Sequence, residues 1–247
     1  LPPSKAFFSK SAVPGGLRKV DSALRRSGPI YVQYGCGQSC PDGWVNFDAS
    51  PTLRLQLLPL IGRLFKRGTT VFPASVRFGD IVRGLPIAEG SVQGIYASHV
   101  LEHLSYADFW TALDHTFRLL APGGIFRLVV PDLKIRAQQY IERLESGQAE
   151  ANAWFMRTAH LGLENPPRGL VAFARSTLGR SAHLWMWDEK SLAAALGKAG
   201  FANIRRCRFG DCQDEKFRLV EDAGRFYDVN DGIEECGMEA MKPKGPS

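Results

Sequence analysis

Between Ser91 and Asp132 three segments follow one another in an order that leaves few folds open. "SVQGIYAS" (91–98) is apolar and rich in β-formers. In "YADFWTALDHTFRLLAPGG", Phe109, Leu113, Phe117 and Leu120 recur every three or four residues, the period of an amphipathic helix. Pro122, Gly123 and Gly124 mark its stop. "IFRLVVPD" (125–132) then reads as a continuous apolar strand of the kind covered on both faces. A strand, a crossover helix and a buried strand imply a parallel α/β sheet.

The alternation extends in both directions. "IYVQYG" and "WVNFD" read as strands, and "VRFGD" (76–80) as a short strand ending in an acid. "LKIRAQQYIERLE" reads as a helix, and so does "WDEKSLAAALGKAGF", with Asp188 as N-cap and Gly200 as stop. "ANIRRCRFG" and "GIEECGMEAMK" complete the sheet as strands, while "DEKFRLVEDAGRFYDVND" between them has no assignable period. The fold class is therefore a Rossmann-like, mostly parallel α/β sheet with helices on both faces and an antiparallel edge strand. Residues 1–29 read as a polar, partly helical arm, and 30–247 as a single domain. The stretch at about 133–182, with its irregular "NPPRG", reads as an insertion or lid.

At 247 residues and 45% hydrophobic content the chain can bury a sizeable core. No apolar run approaches the roughly 20 residues of a membrane span. "LPPSKAFFSK" has neither an initiator Met nor a signal pattern and reads as a trimmed chain start. Five cysteines without framework spacing point to a reducing, cytoplasmic compartment. Cys36 and Cys40 form C-x-x-x-C, but Gly43 stands where an iron–sulfur motif wants a third cysteine, so no metal is assigned there. The net charge of +6 is concentrated around Arg54, Arg63, Lys66, Arg67 and Arg77, a stretch free of acids. Such charge suits a solvated face, nucleic acid, anionic lipid or a phosphorylated substrate.

The turn in "YVQYGCGQSCPDGWVNFDAS" narrows the ligand. A dinucleotide site needs a third glycine, where this chain has Cys40, and an acid about 20 residues on. Here Asp48 ends the next strand, and the chain between the strands is too short for a full crossover helix. A small zwitterionic nucleoside fits better. Gly35 and Gly37 admit close backbone approach, and a carboxylate has two oxygens for two ribose hydroxyls. S-adenosylmethionine has those needs, and Asp80 is placed to meet its adenine amino group. A tight turn whose acid caps a neighbouring helix would read the same way.

Three further tokens, "VLEHL", "RLLAPGG" and a strand ending "VVPD", together with "GCG…GWVNFDAS" and "HLWMWDEKSLAAALGKAGF", carry a likeness from about Ile30 to Cys212. The chain resembles class I S-adenosylmethionine-dependent methyltransferases, in their type 11-like branch. The resemblance implies that Gly35 and Gly37 line the methionine tail beside Gln33, and that Asp48 binds the ribose. It also implies that Asp80 and Ile81 flank the adenine, with Ser98 and His99 by the sulfonium. One departure is "SVQGIY", with Gln93 and Gly94 where the family often has an acid.

For methyl transfer, "SHVLEH" offers His99 and His103 with Glu102 between them. Histidine is a natural base for a hydroxyl acceptor because its pKa lies near neutrality. The cluster admits three readings. It is structural; or one histidine, His99 or His103, is the general base; or it holds a divalent metal with His160 or His183 as an extra ligand. The spacing is that of methyltransferases holding magnesium or manganese with two acids and a histidine, but His99 replaces the first acid, so no metal is assigned. His183, Trp185 and Trp187, with Trp154 in the lid, read either as an acceptor-side cluster or as core.

The leading expectation is a methyltransferase acting at oxygen on a small-molecule or saccharide acceptor. An RNA methyltransferase with a metal-assisted site is the second, although no RNA-binding module accompanies it. The third is a non-catalytic membrane-surface or interaction protein, drawn from "LRLQLLPLIGRLFKR", which mixes apolar and cationic residues. Pro59 and Gly62 interrupt that stretch, which favours a lid over the cofactor pocket.

Overall fold

A computed structural model of the protein describes residues 28–58, 71–162, 165 and 182–245. The N-terminal arm up to residue 27, the cations Arg63, Lys66 and Arg67, most of the apolar cationic stretch, and "NPPRG" apart from Asn165 lie outside the described residues.

Seven strands form one sheet in the order β3-β2-β1-β4-β5-β9-β6. They are β1 (Ile30–Tyr34), β2 (Val45–Asp48), β3 (Arg77–Phe78), β4 (Val92–Ser98), β5 (Leu120–Val130), β6 (Ala202–Cys207) and β9 (Cys236–Met241). β1 to β5 are mutually parallel. β9 runs antiparallel to both β5 and β6, so the reversed strand lies one place inside the edge. From β1 the chain builds outward through β2 and β3 on one side and through β4 and β5 on the other. That reversal opens a crevice at the C-terminal ends of β1 and β4, where α/β sheets bind ligands.

The strand period of two sends Val32 and Tyr34 to one face and Tyr31 to the other. On the first face, α2 (Tyr106–Leu119) buries Phe109, Ala112, Leu113, Thr116 and Leu119. Ser105 caps it by accepting from the Asp108 amide. α5 (Glu189–Lys198) begins with a reciprocal cap between Asp188 and Ser191. α2 ends at Leu119, and Leu120 is already extended, so Pro122, Gly123 and Gly124 belong to the start of β5 rather than to the helix stop. Gly94 has a packing reason, because a Cβ there would come within 2.7 Å of the Tyr31 ring.

The unassigned segment after β6 covers the second face. It forms a one-turn helix at Glu215–Leu219, then α6 (Ala223–Phe226), and a two-stranded sheet of β7 (Tyr227–Asp228) with β8 (Ile233–Glu234). Phe217, Val220 and Phe226 pack there against Tyr31, Trp44, Tyr96 and Val129.

β5 is buried on both faces, and so is the arginine within it. Arg127 is 0% exposed. Its guanidinium donates to Glu221, to Glu239 Oε2 at 2.8 Å, to Asp211 Oδ1 at 2.9 Å and to the Arg208 carbonyl at 2.6 Å. Truncating Arg127 leaves the buried Glu221 without a counter-charge, while Glu239 and Asp211 keep Arg205. Arg127→Met is expected to lower the unfolding free energy by about 3–5 kcal/mol. Chemical denaturation followed by circular dichroism measures it, and a loss under about 1 kcal/mol would mean the cluster is not buried as described.

Candidate functional site

β1 ends at Tyr34 and the chain turns at once. Gly35 has φ 67° and Gly37 has φ 55°, in the left-handed region that side chains avoid. A Cβ on Gly35 would come within 2.2 Å of Val100 Cγ2, whereas around Gly37 the space is open. No helix intervenes between β1 and β2. Gln33 spends its amide inside the protein, donating to the Ser39 carbonyl at 2.7 Å and to Asn46 Oδ1 at 2.6 Å. It therefore braces the turn. Burial, followed by the nearby Asp48 charge, pushes the Cys36 thiol up to about 12, so it stays protonated.

Asp48 closes β2. Its Oδ2 accepts from the Gly37 amide at 2.9 Å and its Oδ1 from the Ser50 amide at 2.7 Å. Those bonds fix the carboxylate while leaving lone pairs on both oxygens. Asp80 follows β3, its Oδ1 accepting from the Val82 amide at 3.0 Å, and Ile81 beside it is buried. Ser98 and His99 stand at the end of β4, and Ser98 Oγ is buried without a hydrogen-bond partner. The residues implied for the cofactor thus gather at the C-terminal ends of four adjacent strands. Open space at Gly37, an oriented acid at Asp48 and an unpartnered hydroxyl at Ser98 fit a nucleoside with an amino-acid tail.

A cleft of about 790 Å³ adjoins this crevice. His99 belongs to its wall, with Arg136, Trp154, His160, His183 and Arg225 among the others. Four arginines and four carboxylates line it in all, so its formal charge is balanced. The Arg143 guanidinium lies 4.2 Å from the centre of the Trp154 ring.

Glu102 sits between the histidines, 0% exposed, and neither carboxylate oxygen has a hydrogen-bond partner. His99 Nδ1 is 3.4 Å from Glu102 Oε1, and His99 Nε2 is 3.0 Å from the Arg225 carbonyl. Burial works against a charged His99 ring, but the nearby Glu102 carboxylate, the Arg225 carbonyl and the Glu235 charge together outweigh it, so its pKa is raised. His103 is not part of the cleft wall; its Nδ1 is 3.1 Å from the Ala182 carbonyl and its Nε2 3.8 Å from Glu102 Oε1. His183 is held neutral, its pKa lowered to about 3 first by burial and then by His103 and His160.

The tryptophans divide. Trp187 is core, its ring 4.1 Å from that of Phe109, while the exposed Trp185 lies tilted against Tyr106, ring centres 4.6 Å apart. Neither lines the cleft, but Trp154 does. Sequence reasoning missed Arg136 and Arg225. Arg136 looks like one more cation on an amphipathic helix, and Arg225 falls in the segment without a period.

A family model described as a methyltransferase domain matches residues 41–206, beginning just after the glycine turn. Comparison with curated proteins gives no match. Among solved structures the chain is similar to a SAM-dependent methyltransferase from Archaeoglobus fulgidus, at 14% identity over 92% of this chain and 94% of that one, TM-score 0.47. It is also similar to the 1,6-didemethyltoxoflavin-N1-methyltransferase of Burkholderia thailandensis, at 16% identity over 93% and 79% of the two chains, TM-score 0.42.

The turn gives a direct prediction. Gly35→Ala is expected to destabilise the protein by about 2–5 kcal/mol, from left-handed strain plus overlap with Val100. In a Val100→Ala background the overlap part, about 1–3 kcal/mol, should vanish. A double-mutant cycle by thermal unfolding measures this coupling, and strict additivity would refute the close approach.

Proposed function

The chain belongs to the methyltransferase-domain family and is an S-adenosylmethionine-dependent methyltransferase; on that premise we propose that it methylates a hydroxyl of a small-molecule or glycan-type acceptor bound in the cleft. The observation that carries this reading is the position of His99, which ends β4 beside the cofactor residues and also lines the cleft. Membership of an enzyme family sets aside the non-catalytic membrane-surface reading. Among the described residues no helix is long and apolar enough to cross a membrane. The five cysteines are free thiols, which suits a cytoplasmic site of action.

When bound, the cofactor supplies a methyl group on a positively charged sulfur, already activated for displacement. What remains for the protein is alignment, exclusion of water and care of one proton. Gly35 and Gly37 would let the backbone close on the amino-acid tail. Asp48 would accept from the ribose hydroxyls, with Asp80 and Ile81 at the adenine and Ser98 near the sulfur. His99 Nε2 would exchange the Arg225 carbonyl for the acceptor hydroxyl and take its proton, with Glu102 orienting the ring from Nδ1.

The lining of the cleft supports a polyhydroxylated acceptor. Balanced arginines and carboxylates present hydrogen-bond donors and acceptors without selecting a net charge, and the Trp154 ring offers an apolar face. Arg136, Arg143 and Trp154 come from α3 (Leu133–Glu145) and α4 (Ala151–Thr158). We read this insertion as the acceptor-binding part of a single domain.

Calorimetric titration tests the cofactor site. S-adenosylmethionine should bind, NAD should not, and Asp48→Ala should weaken binding about tenfold to a hundredfold, the worth of hydrogen bonds to a charged group. Unchanged affinity in Asp48→Ala would move the cofactor elsewhere. In a methyl-transfer assay across saccharide and phenolic acceptors, His99→Ala should lower kcat by about a hundredfold or more while leaving cofactor affinity within a few-fold. Wild-type turnover by His99→Ala would remove the histidine from the chemistry.

A further inference from the structure

We propose that Glu102, His103 and His183 form a binding site for one divalent metal ion of the zinc class, adjoining the acceptor cleft. Each residue offers one ligand atom, and these atoms lie within 4.8 Å of one another. The histidines reach Glu102 from different parts of the chain. His103 belongs to the one-turn helix Leu101–His103, while His183 precedes α5. The Leu184 and Trp185 amides donate to the Glu102 carbonyl at 2.7 and 3.1 Å, which ties the two segments together.

Three observations point to an ion rather than to packing. The first is Glu102 itself, a carboxylate with no solvent access, faced by His99 Nδ1 at 3.4 Å and His103 Nε2 at 3.8 Å but without a well-formed hydrogen bond to either oxygen. Buried charges are normally paired or coordinate metals. The second is how the histidines are held. His103 Nδ1 is fixed on the Ala182 carbonyl, which turns Nε2 toward Glu102 Oε1 at 3.8 Å. His183 Nδ1 is buried without a partner, and its ring centre stands 5.0 Å from that of His103. A backbone carbonyl on one ring nitrogen, as at His103, is the support that orients the other nitrogen toward a metal. The third is the donor set. Two imidazoles and one carboxylate suit zinc, with a fourth tetrahedral position left over.

Ligand atoms around a tetrahedral zinc ion stand about 3.3 Å apart, given metal–ligand distances near 2.0–2.1 Å. The present trio must therefore contract modestly, which side-chain rotation can provide. His99, 3.4 Å from Glu102 Oε1, and His160, whose ring centre is 4.8 Å from that of His183, flank the trio and line the cleft. The site departs from the expectation that the chain holds no metal, and it rests on side-chain geometry alone.

The test uses the whole protein without cofactor or acceptor, so its outcome is separate from the methyl-transfer reading. Chelator-stripped protein is titrated with zinc by calorimetry, metal content is measured after gel filtration, and cobalt(II) replaces zinc for visible spectroscopy. One zinc per chain is expected, with cobalt bands of a tetrahedral nitrogen–oxygen site. Glu102→Gln and His183→Ala should each weaken binding at least about tenfold, while Cys36→Ser/Cys40→Ser should retain it. Circular dichroism checks each variant's fold. If Glu102→Gln does not fold, His103→Ala and His183→Ala carry the comparison. The proposal is overturned if stripped wild-type protein takes up no stoichiometric zinc, or if folded His183→Ala binds as tightly as wild type. A thiolate-to-cobalt charge-transfer band would also overturn it by placing the ion on cysteine.

Discussion

One guanidinium without access to water organises the C-terminal third of this protein. Arg127 projects from β5, and its partners come from β9 and from two places in the segment after β6. In α3, which follows the same strand, Arg136 forms a bidentate pair with Glu235, at 2.8 Å on each arm, and also donates to the Thr158 carbonyl. Buried pairs of this kind add little net stability, because desolvation offsets most of the attraction. Their effect is on geometry. A segment made of one-turn helices and two-residue strands has little internal hydrogen bonding, so the charges of the sheet decide where it lies. Arg225 rides on that segment, and its carbonyl meets His99 across 126 residues of sequence.

The framework was legible because periodicity carries it. α2 and α5 show their caps and apolar faces in the sequence, and the strands that build the crevice end in recognisable glycines and acids. The burial of Arg127 was not legible. "IFRLVVPD" reads as an apolar run in spite of the arginine, and nothing local shows that the partners at positions 211, 221 and 239 will converge on it. The helix stop at Pro122 to Gly124 failed for a related reason. Strand pairing from Gly123 to the Lys242 carbonyl outweighs the usual reading of those residues as helix terminators.

The site divides along the same line. Residues of the glycine turn and the strand ends could be nominated singly, because each sits at a fixed offset from a strand. Gln33 shows the limit of that approach, since its amide is spent on bracing the turn from within. The histidine cluster was visible as a spacing with three readings, and only the tertiary fold brings His160 and His183 to Glu102 and His103. The cleft has almost no linear signature. Its walls come from the end of β4, from α3 and α4, and from the segment around α6.

The place of β9 bears on the order of assembly. β6 precedes β9 along the chain by about thirty residues, yet in the sheet β9 lies between β5 and β6. During synthesis β6 therefore emerges before the strand that will carry it exists. It must wait, with its backbone donors and acceptors unsatisfied by the sheet, until β9 inserts beside β5. Pairings that depend on such late, distant segments fold slowly and leave strand edges open to other chains. In a nascent chain β1 to β5 and the crevice at their ends can form early, but the half carrying Arg225 and Glu235 closes last, so the cleft is the final part of this protein to be completed.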